Sequence, residues 1–118
     1  MSKVSPAAAR SLIRAVRRAT VALLVVVATG GASAQAATHT ITIAGMTFDP
    51  ATVRLAPGDR VVWVNRDLVP HTASARDGSF ESGRIDPGQQ WSLVFAAAGV
   101  IDYVCAYHPA MQGRLEVQ

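Results

Sequence analysis

A single cysteine among 118 residues means that no internal disulfide can staple the chain. Long apolar runs are missing too: the strongest, residues 19–28, covers about half of the roughly 20 residues needed to cross a bilayer core. Histidine is scarce, with three in the whole chain, and residues 1–18 contain no acid at all. These shortages exclude a disulfide scaffold and a single-pass membrane anchor, and they leave few groups for metal chemistry.

The acid-free start carries five basic residues, Lys3, Arg10, Arg14, Arg17 and Arg18, ahead of the apolar run and the small residues Ala32-Ser33-Ala34. A basic start, a short apolar centre and a small-residue end make a cleavable secretory signal peptide over residues 1–34. Cleavage is expected after Ala34, with Ala37 as second choice, giving an exported, periplasmic mature form that does not span a membrane. Arg17-Arg18 alone is a weak twin-arginine signal, because Ala19-Thr20-Val21 behind it lack the supporting pattern.

Beyond the leader, six arginines stand against eight acids, a balance of −2. The basic character of the full chain therefore belongs to the leader, and no basic stripe remains for a phosphate backbone. Nucleic acid is excluded as a partner. A domain this small has marginal burial, and small exported domains commonly compensate with disulfides or a metal. With one cysteine, a metal is the economical choice, and it would also shield Cys105 from oxidation or intermolecular pairing.

Short alternating or β-branched runs recur at 38–44, 52–55, 60–65, 72–75, 91–95, 100–105 and 113–117. Turn residues separate them, among them Gly45, Asp49-Pro50, Ala56-Pro57-Gly58-Asp59, Arg76-Asp77-Gly78, Asp86-Pro87-Gly88 and Ala98-Gly99. No sustained 3.6-residue period follows Ala37, and Ala96-Ala97-Ala98 is too short to nucleate a helix. The pattern predicts one all-β sandwich over residues 38–118.

The segment from Tyr103 to Met111 reads Y-V-C-A-Y-H-P-A-M. It sets Cys105, His108 and Met111 at C-x-x-H-x-x-M, a spacing that a tight inter-strand loop can converge on one point. His71 follows a predicted strand on a segment that Pro70 restricts, and it is the candidate fourth ligand. Two imidazoles and a thiolate in a plane, with a weak axial thioether, suit copper moving between two oxidation states. Structural zinc has little use for a thioether. Taken singly, each residue has a bland reading as loop histidine or core filler. Together they use four of the six His, Cys and Met residues beyond the leader. His39 is left as an exposed residue near the new N-terminus, and Met46 as a core residue.

At these residues the sequence resembles the plastocyanin-like cupredoxins, the type 1 blue copper proteins, and its loop spacing is most similar to the amicyanin type. The resemblance covers about residues 38–118. It implies a Greek-key β-sandwich, one copper per chain, and a histidine edge at His108 ringed by Leu68, Val69, Pro70, Pro109 and Ala110. Donor and acceptor proteins would dock there transiently through small interfaces, with the protein itself a monomer. Two positions depart from the amicyanin pattern. Thr72 stands where asparagine is common, and Tyr107 where proline is common. Tyr107 brings an N–H that can donate to the Cys105 sulfur and tune the copper. Asn65 and Thr72 are candidates for bracing the ligand loops.

The function implied is electron transfer, one electron at a time on copper, with no small-molecule substrate. A periplasmic copper carrier or storage protein is the alternative. An enzyme is disfavoured: Val104 and Ala106 flank Cys105 where copper enzymes of this type place a histidine, and His39 is the sole histidine left for a second centre.

Overall fold

The computed structural model describes residues 21–27, 30 and 35–118. Most of the expected leader, including the bond after Ala34, lies outside the described residues. The chain divides into two units, Met1–Ala32 and Ser33–Gln118. In the first, residues 21–27 form neither helix nor strand, and no helix among the described residues is long and apolar enough to cross a membrane.

The second unit consists of strands: β1 Thr38–Ala44, β2 Thr47–Asp49, β3 Thr52–Leu55, β4 Arg60–Asn65, β5 Ser74–Ala75, β6 Gln90–Val94, β7 Gly99–Val104 and β8 Gln112–Val117. They form two four-stranded sheets, ordered β2-β1-β4-β6 and β3-β8-β7-β5. Each sheet contains one parallel pair, β1 with β4 and β3 with β8, and its remaining pairs are antiparallel. The all-β expectation holds.

Alternation explains why each strand settles as it does. In β4, Val61, Trp63 and Asn65 turn inward while Val62 and Val64 are half-buried, the period of two that a pleated strand imposes. A one-residue slip would drive Trp63 to the outside. The inward positions of both sheets meet in one core, with Ile41, Ile43, Val61, Trp63, Tyr103 and Leu115 fully buried. Trp63 lies at its centre, 5.3 Å from Trp91, 5.6 Å from Phe80 and from Tyr103, and 6.3 Å from Phe95 between ring centroids. Tilted and edge-on aromatic pairs of this kind add about 0.5–1.5 kcal/mol each beyond their buried area.

Register then carries two distant loops together. β5 and β7 pair antiparallel with Ser74 opposite Val104. The residues just before β5, including His71 and Thr72, therefore lie beside those just after β7, Cys105 and Ala106. β5 is shorter than the predicted 72–75 run because Thr72 and Ala73 are held by side chains of other segments: Thr72 by Cys105 and Ala73 by Ser82.

Candidate metal centre

The first loop begins where β4 ends. Asn65, fully buried, donates from Nδ2 to the carbonyls of Val69 at 2.9 Å and Ile85 at 3.0 Å, while its Oδ1 accepts from the Asp67 amide at 2.9 Å. Buried polar groups that satisfy several backbone partners make a loop rigid. Pro70 fixes its own φ and biases Val69 away from the helical region, and His71 after it exchanges two backbone hydrogen bonds with Ile85, at 3.1 and 2.8 Å. The His71 side chain has no solvent exposure.

The second loop, residues 105–111, folds on its own backbone. His108 N–H donates to the Cys105 carbonyl at 3.2 Å, Met111 N–H to the His108 carbonyl at 2.8 Å, and Cys105 N–H to the Met111 carbonyl at 3.1 Å. The spacing C-x-x-H-x-x-M is thus two successive turns that start and finish at the same place. Cys105 and Met111 are buried, and His108 is half-buried.

The donor atoms of His71, Cys105 and His108 all lie within 4.8 Å of one another. From Cys105 Sγ, the Nδ1 atom of His71 is 3.7 Å away and that of His108 is 3.8 Å away. A metal about 2.0–2.1 Å from nitrogen and about 2.3 Å from sulfur separates two ligands by about 3.8 Å when the angle between them is trigonal. Both sulfur–nitrogen separations therefore fit a shared metal, and thiolate with two imidazoles is a soft, mixed set that suits copper.

Asp67 was not singled out from sequence. Its Oδ2 lies 2.8 Å from His71 Nε2. Burial pushes its carboxyl up, but the Met46 amide, His71 and the Gly45 amide together outweigh that and hold it below the usual carboxylate range. An ionised carboxylate can only accept, so in this pair His71 Nε2 is the donor, and Nδ1 is the ring nitrogen that faces Cys105.

Thr72 braces the two loops. Its amide donates to Cys105 Sγ at 3.3 Å, and its hydroxyl accepts from the Ala106 amide at 2.7 Å and pairs with Ser74 Oγ at 2.8 Å. Both proposed braces, Asn65 and Thr72, make such bonds. The sulfur's amide donor is Thr72 N–H; among the described residues no hydrogen bond from Tyr107 N–H reaches it.

The model of the cupredoxin-like domain matches residues 17–117 of this sequence. The chain is a cupredoxin. Amicyanin-alpha of Methylorubrum extorquens is 32% identical to this cupredoxin over 90 residues, which span 72% of this chain and 76% of that protein. Plastocyanin of Scenedesmus fuscus is 33% identical over 86 residues, 62% of this chain and 88% of that protein. A solved Cu(I) form of an amicyanin variant superposes with a TM-score of 0.66 at 29% identity, covering 69% of this chain and 82% of that one. The copper in that structure agrees with the donor set found here.

The remaining sequence expectations divide. Leu68, Val69, Pro109 and Ala110 are exposed and Pro70 is half-buried, and Tyr107 is half-exposed. Met46, expected in the core, is 41% exposed, because the turn after β1 points it outward with φ of 60°. His39 is half-buried rather than free, with Nε2 2.9 Å from Asp59 Oδ2.

Proposed function

We propose that this cupredoxin is a periplasmic carrier that takes one electron at a time from a protein donor and passes it to a protein acceptor. One copper would be held by His71, Cys105 and His108, with the buried Met111 offering a weak thioether donor. The observation that carries this reading is the pair of Nδ1 atoms 3.7 and 3.8 Å from one buried sulfur. Copper bound there cycles between Cu(I) and Cu(II), with sulfur favouring the former and nitrogen accepting the latter.

The chain's own contribution is to hold still. Hydrogen bonds from Asn65 and Thr72 brace both loops in one geometry, so that neither loop has to rearrange when charge changes. Of the two histidine rings, His108 is the half-buried one that partners can approach, and the exposed Leu68, Val69, Pro109 and Ala110 would supply the apolar surface that a brief, weak encounter uses.

With four ligands the metal has no open position for a substrate, and His39, engaged by Asp59, is the only histidine left for another centre. Both points favour a carrier over an enzyme. Cleavage of the 1–34 leader after Ala34 would retain Ala37, whose N–H donates to Asp59 Oδ1 at 2.9 Å and whose carbonyl accepts from Arg60 N–H at 2.9 Å. The mature domain would then begin just ahead of the 38–118 sandwich.

Copper loading of the exported protein tests the reading. An intense thiolate-to-Cu(II) absorption band, lost in Cys105→Ser, and a reversible one-electron wave are expected. Tight Cu(I) binding without that band or wave would instead mark a copper carrier or store.

A further inference from the structure

The turn joining β1 to β2 has two successive residues in the left-handed region, Gly45 with φ of 57° and Met46 with φ of 60°. Glycine adopts this readily, but methionine there is strained by about 1–2 kcal/mol. Two consecutive amides in such a turn point the same way and form a small concavity that attracts an anion. The anion is present: Asp67 Oδ1 accepts from Gly45 N–H at 2.7 Å and Oδ2 from Met46 N–H at 3.0 Å. The same Oδ2 accepts a hydrogen bond from His71 Nε2, 2.8 Å away.

We propose that Asp67 is a positioning residue for the metal, its carboxylate locked by the Gly45–Met46 turn so that it fixes the tautomer, orientation and donor strength of His71. This rests on the copper reading above. The carboxylate also places a negative charge behind one ligand. An anion at that distance favours the more positive oxidation state, so Asp67 holds the protein toward Cu(II) and lowers its reduction potential. The turn between β1 and β2, which contributes none of the proposed ligands, thereby becomes part of the copper's surroundings. The Met46 side chain takes no part in this contact, which its backbone amide makes alone.

The test uses the full mature protein and two variants, Asp67→Asn, which keeps the shape and removes the charge, and Asp67→Ala, which removes both. In copper-free wild type, proton NMR should show a slowly exchanging, low-field ring N–H of His71, and Asp67→Ala should lose it. Loss of such an outer partner lowers metal affinity by about 10–100-fold, and here the loss should fall mainly on Cu(II). If Cu(II) binding falls tenfold more than Cu(I) binding, the potential rises by about 59 mV. Asp67→Asn should raise it as well, even if Asp67→Ala fails to fold. Absence of the low-field proton in wild type overturns the proposal. So does a variant that loses thermal stability while its potential and Cu(II) affinity match wild type. Failure of wild type to bind copper would refute the proposed function, whereas the ring-proton comparison in copper-free protein would still decide the role of Asp67.

Discussion

Thr72 touches Cys105 through its amide, 3.3 Å from the sulfur, while its hydroxyl accepts the very next amide, that of Ala106, at 2.7 Å. One residue before β5 thus grips both the thiolate and the loop that leaves it. The amide bond depends only on backbone, and the hydroxyl bonds depend on the side chain, so the two contributions can be separated.

Thr72→Val keeps the shape and the amide but removes the hydroxyl, leaving Ala106 N–H and the buried Ser74 hydroxyl without that partner. Lost hydrogen bonds with a buried group left unpaired cost about 1–3 kcal/mol. For a domain of this size each kcal/mol lowers Tm by about 4–8 °C. Thermal unfolding of the copper-free variant should show that drop, while the copper-loaded variant keeps its colour. An unchanged Tm would mean that Thr72 braces nothing.

Gly113 is required by a neighbour rather than by its own backbone angle. A Cβ placed there would overlap the ring and hydroxyl of Tyr103, which sits opposite it in the β7–β8 pair and is fully buried. Forcing atoms into a packed core costs about 1–3 kcal/mol, occasionally more. Gly113→Ala should therefore lower the chemical-denaturation midpoint clearly, and a wild-type midpoint would show that the ring moves aside freely.

Acid should weaken the N-terminal clasp. His39, then the Ala37 and Ala56 amides, hold the Asp59 carboxyl down from 3.8 to about 2. A carboxyl lowered on folding stabilises the protein above its unfolded value and loses that contribution as pH falls through its folded value. Stability from this group is thus complete above 3.8 and disappears as the pH approaches 2. Acid titration of wild type against Asp59→Asn should show a steeper decline for wild type in that window. Parallel curves would rule the clasp out as a source of acid sensitivity.

Removing copper should destabilise the domain by linkage. A ligand at 100 times its Kd that binds only the folded state contributes about 2.7 kcal/mol. Differential scanning calorimetry of loaded and stripped protein should show the higher Tm with copper, and Cys105→Ser should abolish the difference. Equal Tm values for wild type with and without copper would contradict the proposed site.

Much of the fold was legible from alternation alone. The runs at 38–44, 52–55 and 60–65 became β1, β3 and β4 with the same bounds, because each has strong inward and outward positions and clear turn residues beside it. β2 was not predicted, since three residues are too few to show a period and its inward contribution is a single residue, Phe48. Met46 was misplaced for a related reason. Hydrophobicity suggests burial, yet a left-handed turn angle sends the side chain outward whatever its chemistry.

By itself, the sequence determined the class, through strand periodicity, and pointed to the chemistry, through the C-x-x-H-x-x-M loop, whose three candidate donors lie close along the chain and so show as a motif. Tertiary structure decided what depends on segments far apart. Only the pairing of Ser74 with Val104 brings His71 and Thr72 to Cys105, and only the β1–β2 turn places the Gly45 and Met46 amides on Asp67. Neither relationship leaves a local pattern, because hydrogen bonds across 21 to 34 residues are set by register and packing rather than by spacing.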